Sequence, residues 1–110
     1  MIVPDLLERP VVLIDIGAVG NPPTHWLPLK DEIHLIGFEP NKDECRKLNA
    51  SRCGYWKSEF LPYAIGERNE KRPFYITEYH ECCSLLKPNS EWLERFDYGS
   101  FFNLNQTIEV

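Results

Sequence analysis

Two short pieces of this chain constrain its fold more than anything else: VVLIDIGAVG at residues 11–20 and HLIGFEP at residues 34–40. Val11, Val12, Leu13 and Ile14 are apolar without alternation, the pattern of a parallel strand covered on both faces, so this strand is expected in the middle of a sheet. Asp15 closes the run. Gly17 and Gly20 then bracket Ala18 and Val19, which lets the backbone turn tightly and approach a ligand where a Cβ would collide. Leu35, Ile36, Gly37 and Phe38 form a second strand that delivers Glu39 and Pro40 at its carboxyl end. In open α/β sheets ligands bind at that edge, and an acid there accepts hydrogen bonds from ribose hydroxyls.

The same loop argues against a dinucleotide. A pyrophosphate fingerprint needs G-x-G-x-x-G running into a helix whose N–H groups face the phosphates. Here Gly17 and Gly20 are followed by Asn21, Pro22 and Pro23, and the prolines remove two donors where a phosphate would need them. An uncharged or cationic nucleoside fits better, which makes S-adenosylmethionine the candidate cofactor. A lone glycine pair is also compatible with an ordinary strand-to-helix turn; the acid after a second strand favours the nucleoside.

A single domain suits 110 residues, with enough apolar content to build a core. The net charge of −5 and the lack of any basic cluster argue against a nucleic-acid partner, and none is expected. No apolar run approaches the roughly 20 residues that span a bilayer, and the first ten residues lack a basic start and a sustained apolar stretch, so no membrane association and a cytoplasmic location are expected. Cys45, Cys53, Cys82 and Cys83 contain no C-x-x-C pair. His25, His34 and His80 do not complete a ligand spacing with them, so no metal site is expected and the cysteines read as reduced thiols.

Prolines 22, 23 and 28 limit the connection after the first strand to at most a turn around Thr24, His25, Trp26 and Leu27. Asn41 with Glu44 three residues on predicts a capped helix from Lys42 to about Ser51, with Cys45, Leu48 and Asn49 on its inner stripe. A third strand is expected over residues 60–65, ending in Ala64 and Ile65, which could contact an adenine ring or lie in the core. Residues 66–70 read as a turn and residues 74–77 as a strand, an antiparallel excursion from the main sheet. Ser90 is the expected cap of a helix through Phe96, with Trp92 and Phe96 packed in a core. Residues 106–110 alternate like a strand and stop there, which reads as the first part of a larger domain.

In order, DIGAVGNPPTHW, GFEPNKDEC, LPYAIGERNEKRPFYIT, CCSLLKPN and LERFD resemble the N-terminal half of the FkbM-type methyltransferases, across nearly the whole chain. The first two pieces are shared with many Rossmann methyltransferases; the C-S-L-L-K-P-N stretch is more particular. The resemblance implies an α/β fold, the N-terminal portion of a Rossmann-like doubly wound sheet, and transfer of a methyl group from S-adenosylmethionine to a hydroxyl of a small acceptor such as a sugar or polyketide. It also implies later strands that complete the donor and acceptor sites, so this chain alone is expected to be inactive and its unpaired strand edges to favour self-association.

The expected cofactor-binding residues are Asp15, Gly17, Ala18, Gly20, Glu39, Pro40, Ala64 and Ile65. Glu39 would bind the ribose hydroxyls. Gly17, Ala18 and Gly20 would let the methionine portion lie against the backbone, and Asp15 would orient the loop or meet the donor's ammonium through a water. His25 and His80 are the nearby candidates for a general base, and neither is assigned. A non-catalytic nucleoside-binding or interaction module on the same fold is the alternative.

Overall fold

The computed structural model of the chain describes residues 10–20, 24–51 and 54–110. The element order is β1 (Val11–Ile16), a 3₁₀ helix (Thr24–Glu32), β2 (Ile33–Phe38), α1 (Lys42–Ala50), β3 (Lys57–Leu61), β4 (Pro73–Thr77), a 3₁₀ turn (His80–Cys82), α2 (Ser90–Leu93), a second 3₁₀ turn (Gly99–Phe102) and β5 (Leu104–Glu109). These elements fall into two compact units, Met1–Ile65 and Gly66–Val110. The protein is therefore a small α/β structure with a three-stranded parallel sheet in the first unit and an antiparallel pair in the second. The sequence readings on residues 1–9, on Asn21, Pro22 and Pro23, and on Cys53 lie outside the described residues.

In the first unit the strands lie in the order β1-β2-β3, with Val11 beside Ile33, Ile16 beside Phe38 and Phe38 beside Leu61. One face carries Ile33, Leu35 and Phe60, which pack with Ala18, Tyr55 and the α1 residues Cys45 and Leu48 into the buried cluster. Each large apolar side chain buried there contributes about 1.5–3 kcal/mol before the entropy of ordering it. Gly37 belongs to the same face, and a Cβ on it would run into the Phe60 ring. Here glycine provides room for a neighbour's aromatic ring.

The expectation of β1 in mid-sheet is corrected: among the described residues it pairs with β2 alone and forms an edge. Val11 and Leu13 pack against the buried cluster, whereas Val12, Ile14 and Ile16 on the opposite face are 55%, 58% and 64% exposed. An uninterrupted apolar run suits cover on both faces without supplying the second cover.

Helix α1 follows its sequence signals. Asn41 Oδ1 accepts from the backbone N–H of Asp43 (3.1 Å) and Glu44 (3.4 Å), satisfying donors that the first helical turn leaves unpaired. On its exposed side, ion pairs join Arg46 to Asp43 and Lys47 to Glu44. Asn49 does more than its place on the stripe suggests: its Nδ2 donates to the Phe60 carbonyl and its Oδ1 accepts from the Phe60 N–H, both at 2.9 Å. The side-chain amide thus takes the place of a neighbouring strand on the outer edge of β3.

Two boundaries differ from expectation. Strand β3 spans Lys57–Leu61 instead of residues 60–65, because Pro62 lacks the N–H to continue the ladder and an edge strand accepts polar residues such as Lys57 and Ser58. The connection after β1 holds a nine-residue 3₁₀ helix, Thr24–Glu32, with Pro28 inside it. Proline disrupts the i→i−4 bonding of an α-helix, and the tighter i→i+3 turn accommodates it here.

The second unit is built on β4 and β5, antiparallel from Pro73 beside Glu109 to Thr77 beside Leu104, with an irregularity between Ile76 and Thr77. Tyr75 and Ser84 add a bridge through reciprocal backbone bonds of 2.8 and 3.1 Å. Phe74, Ile76 and Thr77 are buried; Thr77 Oγ1 donates to the Tyr79 carbonyl at 2.7 Å. The helix expected through Phe96 is a single turn, Ser90–Leu93, and its cap is Asn89, whose Oδ1 accepts from Trp92 N–H at 3.2 Å. Beyond it the chain continues in i→i+3 turns, Phe96 N–H to Leu93 and Gly99 N–H to Phe96. Trp92 touches Phe96 with ring centroids 4.7 Å apart but is 51% exposed, which corrects its assignment to a core.

Cys45, Cys82 and Cys83 are free thiols. Among the described residues no group of His, Cys, Asp and Glu could hold a metal ion, and no helix is long and apolar enough to cross a membrane.

Candidate functional site

All three parallel strands of the first unit end at one edge, and their ends carry most of the residues singled out from sequence. Asp15 sits in β1 beside Gly37. The loop after β1 is tied to β2, since the N–H groups of Gly17 and Ala18 both donate to the Phe38 carbonyl, at 2.9 and 3.0 Å. Glu39 follows Phe38 directly, and its N–H donates to the Leu61 carbonyl at 3.0 Å. The loop and the acid therefore meet at the carboxyl edge of the sheet because the strands are parallel and in register.

Gly17 has φ +73° and Gly20 φ +90°, conformations open to glycine and rare for other residues. A Cβ on Gly17 would meet nothing within 4 Å, so backbone conformation sets the requirement, and space lies open beside the loop. Ala18 is different: its side chain is a member of the buried cluster, leaving only its backbone for a ligand. Gly20 is exposed. Pro40 is buried next to Glu39. Ala64, half-buried, and Ile65, exposed, lie beyond the end of β3 rather than inside it, in the loop that leaves from this edge.

Glu39 is only 4% exposed, and its Oε1 accepts from the backbone N–H of Asn41 at 3.0 Å. A glutamate is seldom buried so deeply unless it is paired. That contact places the carboxylate at the positive end of α1, where a negative charge is favoured. The charge is felt nearby: burial, and secondarily Glu39, pushes the Cys45 thiol up, which keeps this cysteine protonated and poorly nucleophilic. Burial likewise raises the Asp15 carboxyl above its ordinary value.

Chemically the edge offers carboxylates and a glycine loop whose first two amides are already bonded to Phe38. It is suited to hydrogen-bond donors and positive charge, and poorly suited to a phosphate. His25 is exposed with its ring 5.5 Å from that of Trp26, and His80 is exposed in the second unit. Two supporting residues escaped the sequence reading in these roles. Gly37 makes room for Phe60, and a glycine within an apolar strand was its signal. Asn49 clasps β3, and its spacing of four from Cys45 placed it on the inward stripe without showing what it bonds.

Compared with known proteins, the chain matches no family model, no curated protein and no solved structure.

Proposed function

We propose that the carboxyl edge of the parallel sheet is the donor half-site of an S-adenosylmethionine-dependent methyltransferase of the FkbM type, on a Rossmann-like doubly wound sheet, acting on a hydroxyl of a small sugar-like or polyketide-like acceptor. The observation that carries it is the pair of hydrogen bonds that the Gly17 and Ala18 N–H groups donate to the Phe38 carbonyl, which sets a glycine loop with open space beside it against the strand end bearing Glu39. When bound, the donor supplies an electrophilic methyl on a sulfonium. The residues present fit such a group: Glu39 accepts the ribose hydroxyls, Asp15 offers negative charge at the same edge, and the loop adds no side chain at Gly17 or Gly20. Glu39 and the Gly17–Gly20 loop would hold such a donor, and no residue of this chain is assigned as the base for the acceptor hydroxyl. The protein's main contribution is to hold acceptor and donor in line.

Titration with S-adenosylhomocysteine and with NADH tests this reading, which expects heat from the first alone. Glu39→Ala should weaken S-adenosylhomocysteine binding by about 1.5–3 kcal/mol, the range for hydrogen bonds to a charged group. Unchanged affinity on a folded variant removes Glu39 from the site. The Oε1 bond to Asn41 favours a second reading, in which Glu39 anchors the start of α1 and the chain is a non-catalytic module. In that case Glu39→Ala lowers stability and neither ligand binds.

A further inference from the structure

The second unit contains a cavity of about 290 Å³ that the donor half-site does not involve. It is formed where the chain turns from α2 into the 3₁₀ segment Gly99–Phe102, and Leu93, Phe96 and Phe102 give it an apolar and aromatic wall. Glu94 and Asp97 also line it, and no lysine, arginine or histidine does. Neither carboxylate has an ion pair or a side-chain hydrogen bond among the described residues. Gly99 fixes the shape of the turn, because a Cβ there would run into the Leu93 carbonyl. Phe96 is held in turn by its neighbours, stacked on Tyr98 with centroids 5.2 Å apart and in contact with Trp92.

We infer that this cavity is a binding site for a small organic ammonium ion. Its volume lies just below the usual range for small-molecule pockets, about 300–1,000 Å³, which favours a small occupant. Two unpaired carboxylates repel an anion and attract a cation. A bare metal ion needs converging ligands, and no such group exists among the described residues. An ammonium carrying carbon substituents uses both features of the lining: its charge is offset by Glu94 and Asp97, and its carbon contacts the apolar side chains of Leu93, Phe96 and Phe102. This inference is independent of the donor half-site, because every lining residue belongs to the second unit.

The test uses the whole chain and tetramethylammonium chloride, with sodium chloride at equal ionic strength and tert-butanol as the uncharged probe of similar shape. Amide shifts in a ¹H–¹⁵N spectrum should move in a saturable way over residues 90–103 with tetramethylammonium, and much less with the other two. Glu94→Gln with Asp97→Asn, both at exposed positions and so compatible with folding, should weaken binding at least tenfold while the dispersion of the spectrum is retained. Three results overturn the inference: no saturable shift, equal binding of tert-butanol, or unchanged affinity in the double variant.

Discussion

The two units bury their apolar residues in different ways. In Met1–Ile65 the strands are parallel and brought together across long connections, and seven residues from the sheet, α1 and two loops form one buried cluster. In Gly66–Val110 two antiparallel strands bury only Phe74, Ile76 and Thr77, while rings such as Trp92, Tyr98 and Phe101 remain largely exposed. The parallel sheet gains a packed cluster on the face that α1 covers while Val12, Ile14 and Ile16 leave its other face exposed, and the antiparallel pair buries far fewer side chains. The stability of the first unit should therefore reside in side-chain packing, and that of the second in backbone bonds and local turns.

The sharpest way to break this comparison is Leu35→Ala. Leu35 is fully buried, and its truncation should cost about 3 kcal/mol through lost transfer energy and the cavity left behind. Hydrogen exchange should then accelerate across β1, β2 and β3 while the amides of β4 and β5 keep their protection. Simultaneous loss of protection in both units would show one cooperative body. A smaller effect is expected from Asn49→Ala, about 2 kcal/mol, since it leaves both backbone groups of Phe60 without their partner. The Phe60 amide should exchange faster than its neighbours in the variant, and an unchanged rate there would move the stability of β3 back to its apolar contacts.

The smallest effect belongs to Asp15. Its carboxyl is raised above 3.8 by burial, so the native state holds this proton more tightly than the unfolded chain. Stability should fall as pH rises from about 4 through the raised folded value and level off above it. Asp15→Asn should remove that slope in urea titrations and gain on the order of 0.5 kcal/mol at neutral pH. A steeper slope in the variant would mean that another group governs the acid side.

Much of the first unit is legible in the sequence because each signal is local. Asn41 reads as a cap from its own side chain, and the strand that ends in Glu39 reads from four successive apolar or small residues. The legible signals end where a neighbour decides. That β3 begins at Lys57 depends on its being an edge, and that Thr24–Glu32 is a 3₁₀ helix depends on what a proline permits rather than on what it forbids. At the candidate site, the convergence of Gly17 and Glu39 follows from parallel strands, but the burial of Glu39 and its bond to Asn41 require the fold of α1 over the sheet. The cavity beside Glu94 and Asp97 left no trace in the pattern, because a succession of turns builds it with no periodicity.

The Phe38 carbonyl, accepting from both Gly17 and Ala18, couples two parts of the chain that are twenty residues apart. The loop that leaves β1 is moored to a different strand, and the mooring point is the residue immediately before Glu39. A displacement of that strand end carries the loop with it, so the gap between glycine backbone and carboxylate behaves as a fixed gauge rather than a hinge. On the proposed reading, a donor reaching from the loop to Glu39 would meet a spacing set in advance by the sheet.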